Sequence, residues 1–158
     1  MKIGFSTDSC HSLADVKTRL DLFRSLACNA VEISLPDAAV IAEIYKERQE
    51  LTVLVSEFVY ISIHAPSGLT YDDSPQIKEA LNELVGIATV LKAKTIVIHP
   101  NVISGFENLK AVGSLIGLEN MDWRKADARF PDELERYLGE LPEAGVVIDM
   151  NHVYTHDR

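Results

Sequence analysis

The chain has 158 residues, of which 47% are hydrophobic and 25% charged, and a formal net charge of -9. That is long enough for one domain with a sizeable core. No apolar stretch approaches the roughly 20 residues that span a bilayer, and the acidic balance argues against a protein whose main task is gripping nucleic acid. The two cysteines, Cys10 and Cys28, give no disulfide framework. With an N-terminus lacking a signal peptide's long apolar centre, they suit a reducing cytoplasm, where each reads as a small buried or half-buried residue.

In chain order, the first strand is expected at residues 2–6. Ser12 offers an N-cap to a helix whose Leu13, Val16, Leu20, Phe23 and Leu26 recur at helical spacing. A second strand at 30–35 is closed by Pro36 and Asp37, and a helix follows from Ala38 to Val55, its LTVLV end ambiguous with a strand. The third strand is 59–65. Ser74-Pro75 opens the clearest helix, running to about Lys92, because Ser caps and Pro suits the first helical position. A fourth strand at 95–99, a short helix at 103–112 and a fifth strand at 114–120 come next. Residues 121–130 read as a long loop, of the kind often functional in compact domains. Pro131-Asp132-Glu133 begins a helix ending near Leu141, and a turn at Pro142 and Gly145 leads to a sixth strand at 146–150.

Strands alternating with helices predict βαβ units and a parallel sheet. The strands read as nearly continuous apolar runs, as when both faces are covered. The expected fold is an α/β, TIM-barrel-like parallel arrangement, incomplete with about six β/α units, over residues 1–158 as a single partial barrel domain. The rival, an open doubly wound sheet, has no Gly-rich turn after the first strand to support it. A full barrel takes eight units in about 250 residues. The chain is therefore expected to be truncated, completed by another chain, or closed with fewer strands. A homo-oligomer would cover the open sheet edges.

The candidate chemistry lies where apolar runs end. His64 closes ISIH, His99 closes TIVIH, Glu119 follows LIGL, and Asp149 and His152 follow GVVI. Pro66 and Pro100 stop the strands just after the first two. Imidazoles and carboxylates gathered at one barrel rim are expected to bind a divalent metal ion, Zn, Mn, Mg or Co. Glu119 is placed to bind one ion or bridge two. Glu32, on the second strand, needs a buried partner and reads as structural first. Trp123, Arg124 and Lys125 stand in the long loop, either solvated or closing over a phosphate or sugar. His11 reads as a capping or exposed residue, His156 and Asp157 as terminal, and Lys78, Glu79 and Glu83 as solvated helix faces.

Together, HAP at 64–66, HP at 99–100, LEN at 118–120 and D-x-x-H at 149–152, with V-E-I at 31–33, resemble the xylose isomerase-like TIM-barrel superfamily. That superfamily includes sugar and sugar-phosphate isomerases and epimerases and the endonuclease IV-like apurinic-site nucleases. In the nuclease branch, the resemblance implies that His64, His99 and Glu119 bind one metal. Glu119 then bridges to a second metal held by Asp149, and His152 binds a third. In the isomerase branch it implies that Glu119 and Asp149 bind one divalent ion, with Glu119 also beside the substrate carbon and His152 on the substrate. Glu119 and His152 are the implied catalytic residues. Both branches draw further ligands from strands seven and eight, for which the sequence has no counterpart. The leading expectation is a metal-dependent sugar or sugar-phosphate isomerase or epimerase. The alternatives are a metal-dependent phosphodiesterase, which the acidic balance disfavours for DNA, and a non-catalytic relative serving as a binding or assembly module.

Overall fold

The structure, a computed structural model, describes residues 2–10 and 15–156. Strands β1 (Gly4–Ser6), β2 (Ala30–Ser34), β3 (Tyr60–His64), β4 (Thr95–Ile98), β5 (Ile116–Glu119) and β6 (Gly145–Val147) form one sheet in chain order. Every neighbouring pair is parallel. Helices α1 (Val16–Ser25), α2 (Ala38–Val55), α3 (Pro75–Leu91), α4 (Glu107–Lys110), α5 (Pro131–Glu140) and α6 (Met150–Thr155) intervene. An order that never reverses is a barrel wall. A doubly wound sheet reverses at a switch point.

The strands alternate more than their sequences suggest. Val31 and Ile33 of β2, Ile63 of β3, and Ile96 and Ile98 of β4 are buried in the core. Glu32, Ser34 and His64, the intervening residues, line a cavity instead. Helix α3 seals the core with Ile77, Leu81, Leu84, Ile87 and Leu91. Each fully buried aliphatic of this kind is worth about 1.5–3 kcal/mol over exposure. The LTVLV segment is helical, and Leu51 and Val55 are buried from it.

Side-chain caps fix where the helices begin. Asp37 Oδ1 accepts from the Val40 N–H at 2.9 Å, and Ser74 Oγ from Ile77 N–H at 3.4 Å, with Pro75 next to the cap. The cap of α1 is Asp15, whose Oδ1 accepts from Thr18 N–H at 2.8 Å. The expected Ser12 cap, with Leu13, lies outside the described residues. Helix α3 ends on Lys92 in the left-handed region at φ 57°.

The strands are mostly a residue or two shorter than expected, and three boundaries depart for reasons visible in the backbone. The helix expected over 103–112 shrinks to Glu107–Lys110, because the backbone before it is committed to Tyr71. Tyr71 O accepts from both Ser104 N–H at 2.8 Å and Gly105 N–H at 3.0 Å. Strand five starts at Ile116, not 114, since Gly113–Leu115 forms a 3-10 turn with Gly113 at φ 65°. Strand six ends at Val147. The β-branched run disguises a helix that starts at Met150 with Asp149 as its cap.

Strands β1 and β6 are the sheet's two edges. Ile3 and Phe5 beside one edge, and Val146 and Ile148 beside the other, are exposed. Among the described residues no helix is long and apolar enough to cross a membrane.

Candidate metal centre

Parallel register delivers the site. Ser34 pairs with His64, His64 with Val97, and Val97 with Gly117. Two residues on along each strand the side chain returns to the same face. His99 therefore follows Val97 and Glu119 follows Gly117 onto the face that carries His64. Pro100 opens a 3-10 turn directly after His99 and carries the chain away from the rim.

The outcome is a tight triangle. His64 Nε2 lies 3.2 Å from Glu119 Oε2, His99 Nε2 lies 3.4 Å from the same oxygen, and the two Nε2 atoms are 3.1 Å apart. His64 Nδ1 donates to the Ala65 carbonyl at 2.9 Å, which leaves the Nε2 lone pair of the neutral ring pointing inward. The oxygen it meets is a carboxylate's, an acceptor only. His64 Nε2 and the Glu119 oxygen thus both present lone pairs to the centre, an arrangement that either a proton on His99 Nε2 or a shared cation resolves. Three ligands about 2.1 Å from a tetrahedral ion stand roughly 3.4 Å apart, close to the spacing found here. The donor set, two imidazoles and a carboxylate, suits zinc and similar divalent ions.

A second set adjoins it. Glu119, Asp149 and His152 also bring their ligand atoms within 4.8 Å of one another. Glu119 Oε1 lies 3.4 Å from His152 Nδ1, so the carboxylate faces both sets with different oxygens. His152 Nδ1 donates to the Asn120 carbonyl at 2.7 Å, leaving Nε2 toward Asp149 Oδ2 at 3.7 Å. Asp149 divides its labour: Oδ1 accepts from the Asn151 and His152 backbone N–H groups, while Oδ2 faces the imidazole. Asn120 braces the pair. Its Oδ1 accepts from Asp149 N–H at 2.7 Å, and its amide donates to the Asp149 carbonyl at 3.2 Å.

The electrostatics follow. Burial alone disfavours the His64 imidazolium, but the Glu119 and Glu32 carboxylates and the Ala65 carbonyl outweigh it and raise its pKa. Burial likewise disfavours the Glu119 carboxylate, yet the two imidazoles against it hold its pKa well below the ordinary range.

The site opens into a cavity of about 900 Å³. Of the weaker candidates, Glu32 lines it, and Ser62 donates to Glu32 Oε2 at 3.4 Å. Trp123, Arg124 and Lys125 do not line it. Arg124 is tied to Asp122, whose pKa its guanidinium lowers to about 2. His156 Nε2 lies 3.1 Å from the Met121 carbonyl. His11 and Asp157 lie outside the described residues. Lys78 and Glu79 are exposed and Glu83 half-buried on α3, and Cys10 and Cys28 are half-buried against the core. Sequence reasoning assigned nothing to Ser6, Asp8 and Ser34, which line the cavity, or to Asn120 as a brace. The LEN motif carried the Asn120 signal. Ser34 was visible only as the alternate position of an AVEIS strand.

No protein-family model and no curated protein sequence matches the chain. Among solved structures, a D-psicose 3-epimerase in the presence of D-fructose aligns at TM-score 0.75 and 12% identity, over 98% of this chain and 65% of that one. The 3-keto-D-glucoside 4-epimerase of E. coli aligns at TM-score 0.68 and 14% identity, over 98% of this chain and 70% of that one. The chain spans about two thirds of the length of these epimerases. At these identities the alignments show the fold alone, and the fold the chain shares is a TIM-barrel-like parallel β/α arrangement.

Proposed function

We propose that residues 1–158 are one partial (β/α) barrel domain carrying the site of a divalent-ion-dependent sugar or sugar-phosphate isomerase or epimerase, with a cytoplasmic location. The observation that carries the reading is the convergence of His64 Nε2, His99 Nε2 and Glu119 Oε2 on one point of a barrel rim. The fold-sharing enzymes, epimerases of D-psicose and of 3-keto-D-glucoside, support a sugar as the substrate.

In this reading His64, His99 and Glu119 hold a Zn, Mn, Mg or Co ion. Asp149 and His152 share Glu119 across its other oxygen. A bound ion would polarise a sugar's carbonyl and neighbouring hydroxyl oxygens. In the same reading Glu119 would move the proton on the adjacent carbon, and His152 would meet a sugar hydroxyl. The test is deuterium exchange into the carbon beside a ketose carbonyl, measured with each ion in turn. Ion-dependent exchange that disappears in Glu119→Gln is expected, and absence of exchange with every ion and ketose tried would defeat the reading.

One observation favours a second reading. Paired histidines on adjacent strands sharing a carboxylate also suit a metal-dependent phosphodiesterase, in which clustered ions activate water. Cleavage of a DNA strand at an abasic site would install it in place of the first.

The exposed Ile3, Phe5, Val146 and Ile148 support a homo-oligomer in which a second copy covers the sheet edges. Light scattering on the eluting protein should give a mass above the monomer's, and a monomer at all concentrations would refute this.

A further inference from the structure

Asn120 stands directly after Glu119, the carboxylate that both coordination sets share, and it is buried, with 7% of its surface exposed. Its four polar groups all turn to one segment, residues 147–152. The backbone N–H donates to the Val147 carbonyl at 3.2 Å, where β6 ends. The backbone carbonyl accepts from His152 Nδ1 at 2.7 Å. The side-chain Oδ1 accepts from the Asp149 N–H at 2.7 Å, and Nδ2 donates to the Asp149 carbonyl at 3.2 Å.

A primary amide copies the peptide group, setting a donor beside an acceptor. The β5–β6 ladder stops at Val147, and Asp149 comes two residues later on extended backbone, at φ -85° and ψ 111°. The Asn120 side chain gives both main-chain groups of Asp149 the partners that a neighbouring strand would otherwise supply. Aspartate at this position would lack the donor. Alanine would lack both, leaving the Asp149 N–H and carbonyl to find other partners.

The backbone of Asn120 acts on the other ligand. With the Nδ1–H held by the Asn120 carbonyl, the neutral His152 ring keeps its lone pair on Nε2, which lies 3.7 Å from Asp149 Oδ2. One residue therefore fixes the main chain of Asp149 and the tautomer of His152, and ties both to the backbone of Glu119. The paired histidines are held by other means. His64 Nδ1 donates to the Ala65 carbonyl, and His99 runs straight into the turn that Pro100 opens.

We propose that the Asn120 side chain is the positioning group of the set formed by Glu119, Asp149 and His152, and that without its amide a second ion binds weakly while the ion at the paired histidines binds nearly as before. This rests on the divalent-ion reading above and goes beyond it by naming what controls the second site.

The test is calorimetric titration of the ion-free protein with zinc alone, wild type beside Asn120→Ala. His64→Ala, titrated in parallel, identifies the binding event that belongs to the paired histidines. The wild type should bind two ions. In Asn120→Ala the event that does not depend on His64 should weaken about 10–100-fold, the range for a lost outer-shell partner, while the His64-dependent event moves far less. A general loosening of the fold would weaken both events together. That result, or an unchanged second event, overturns the inference. A wild type that binds a single ion also overturns it and leaves the divalent-ion reading standing, whereas a wild type that binds none defeats both. The melting temperature shows whether Asn120→Ala folds. If it does not, Asn120→Ser is titrated in its place, since one short hydroxyl cannot serve both Asp149 groups. The same separation of the two events is expected, and its absence overturns the inference.

Discussion

The imidazoles of His64 and His99 meet edge to face, with ring planes at 85° and their Nε2 atoms 3.1 Å apart, each within 3.4 Å of one Glu119 oxygen. Two basic nitrogens held this close repel if both are protonated and have one hydrogen bond to share if one is. A shared divalent ion satisfies both. Replacing Glu119 with Gln keeps the shape and removes the charge that draws the ion. We expect zinc or manganese affinity, measured by calorimetry, to drop about 10–100-fold or more. His64→Ala should drop it comparably. Affinity unchanged in both variants would dissolve the centre.

The pH dependence has two opposed signs. The pKa of His64 is raised in the folded protein, so its contribution to stability is fully present below the ordinary histidine value and is lost as pH rises through the folded one. Glu119 has a lowered pKa, so its contribution is present above the ordinary carboxylate value and is lost only in stronger acid. Ion binding needs His64 deprotonated and runs the other way, strengthening as pH rises through the raised pKa. As pH rises past the ordinary histidine value and through the raised one, thermal melts should show the ion-free protein losing the His64 contribution while the increment added by zinc grows. An increment that shrinks with rising pH would contradict the ligand role of His64.

Asp149 gives its two oxygens different tasks, and two substitutions separate them. Asp149→Asn keeps Oδ1 as acceptor for the Asn151 and His152 N–H groups and should leave the melting temperature nearly unchanged. Asp149→Ala should lose about 1 kcal/mol of stability with the cap. Both should weaken any second ion. Equal stability losses in the two variants would show that the cap is not what Asp149 supplies.

The scaffold makes its own demands. Leu84→Ala, at a fully buried position of α3, should cost about 2–5 kcal/mol in denaturant unfolding. Lys92 ends the same helix in the left-handed region, so Lys92→Gly should raise stability by roughly 0.5–1 kcal/mol. A destabilised Gly variant would mean the lysine side chain supports the turn.

How legible this was varied with how local the signal is. His64, His99 and Glu119 stood out because each ends a β-rich run, and a proline follows closely after both histidines. Parallel register then does the rest, since side chains recurring at every second position reach one rim. Ser74-Pro75 and the run after Pro131 located their helices, because caps and N-terminal prolines act within a single turn. Misreadings arose where distant backbone decides. Tyr71 takes the N–H groups of Ser104 and Gly105, and nothing in residues 103–112 announces it. The VVIDM run looked like strand to its end because β-branched residues dominate it, while Asp149 begins a helix by accepting from N–H groups two and three residues ahead. The cavity wall was hidden for a different reason. Glu32 and Ser34 alternate with Val31 and Ile33, and over five residues the apolar half of that alternation dominates the eye.

The strand ladder runs in chain order, and His64, Glu119 and the approach to His99 belong to β3, β5 and β4, its inner rungs. Asp149 and His152 hang beyond β6, at the outer rail. Peripheral rungs unzip most readily in any such ladder. The two halves of the centre therefore differ in permanence. Opening at the β6 edge would release Asp149 and His152 before it reached the paired histidines, so occupancy of one coordination set and loss of the other could coexist in a single folded molecule.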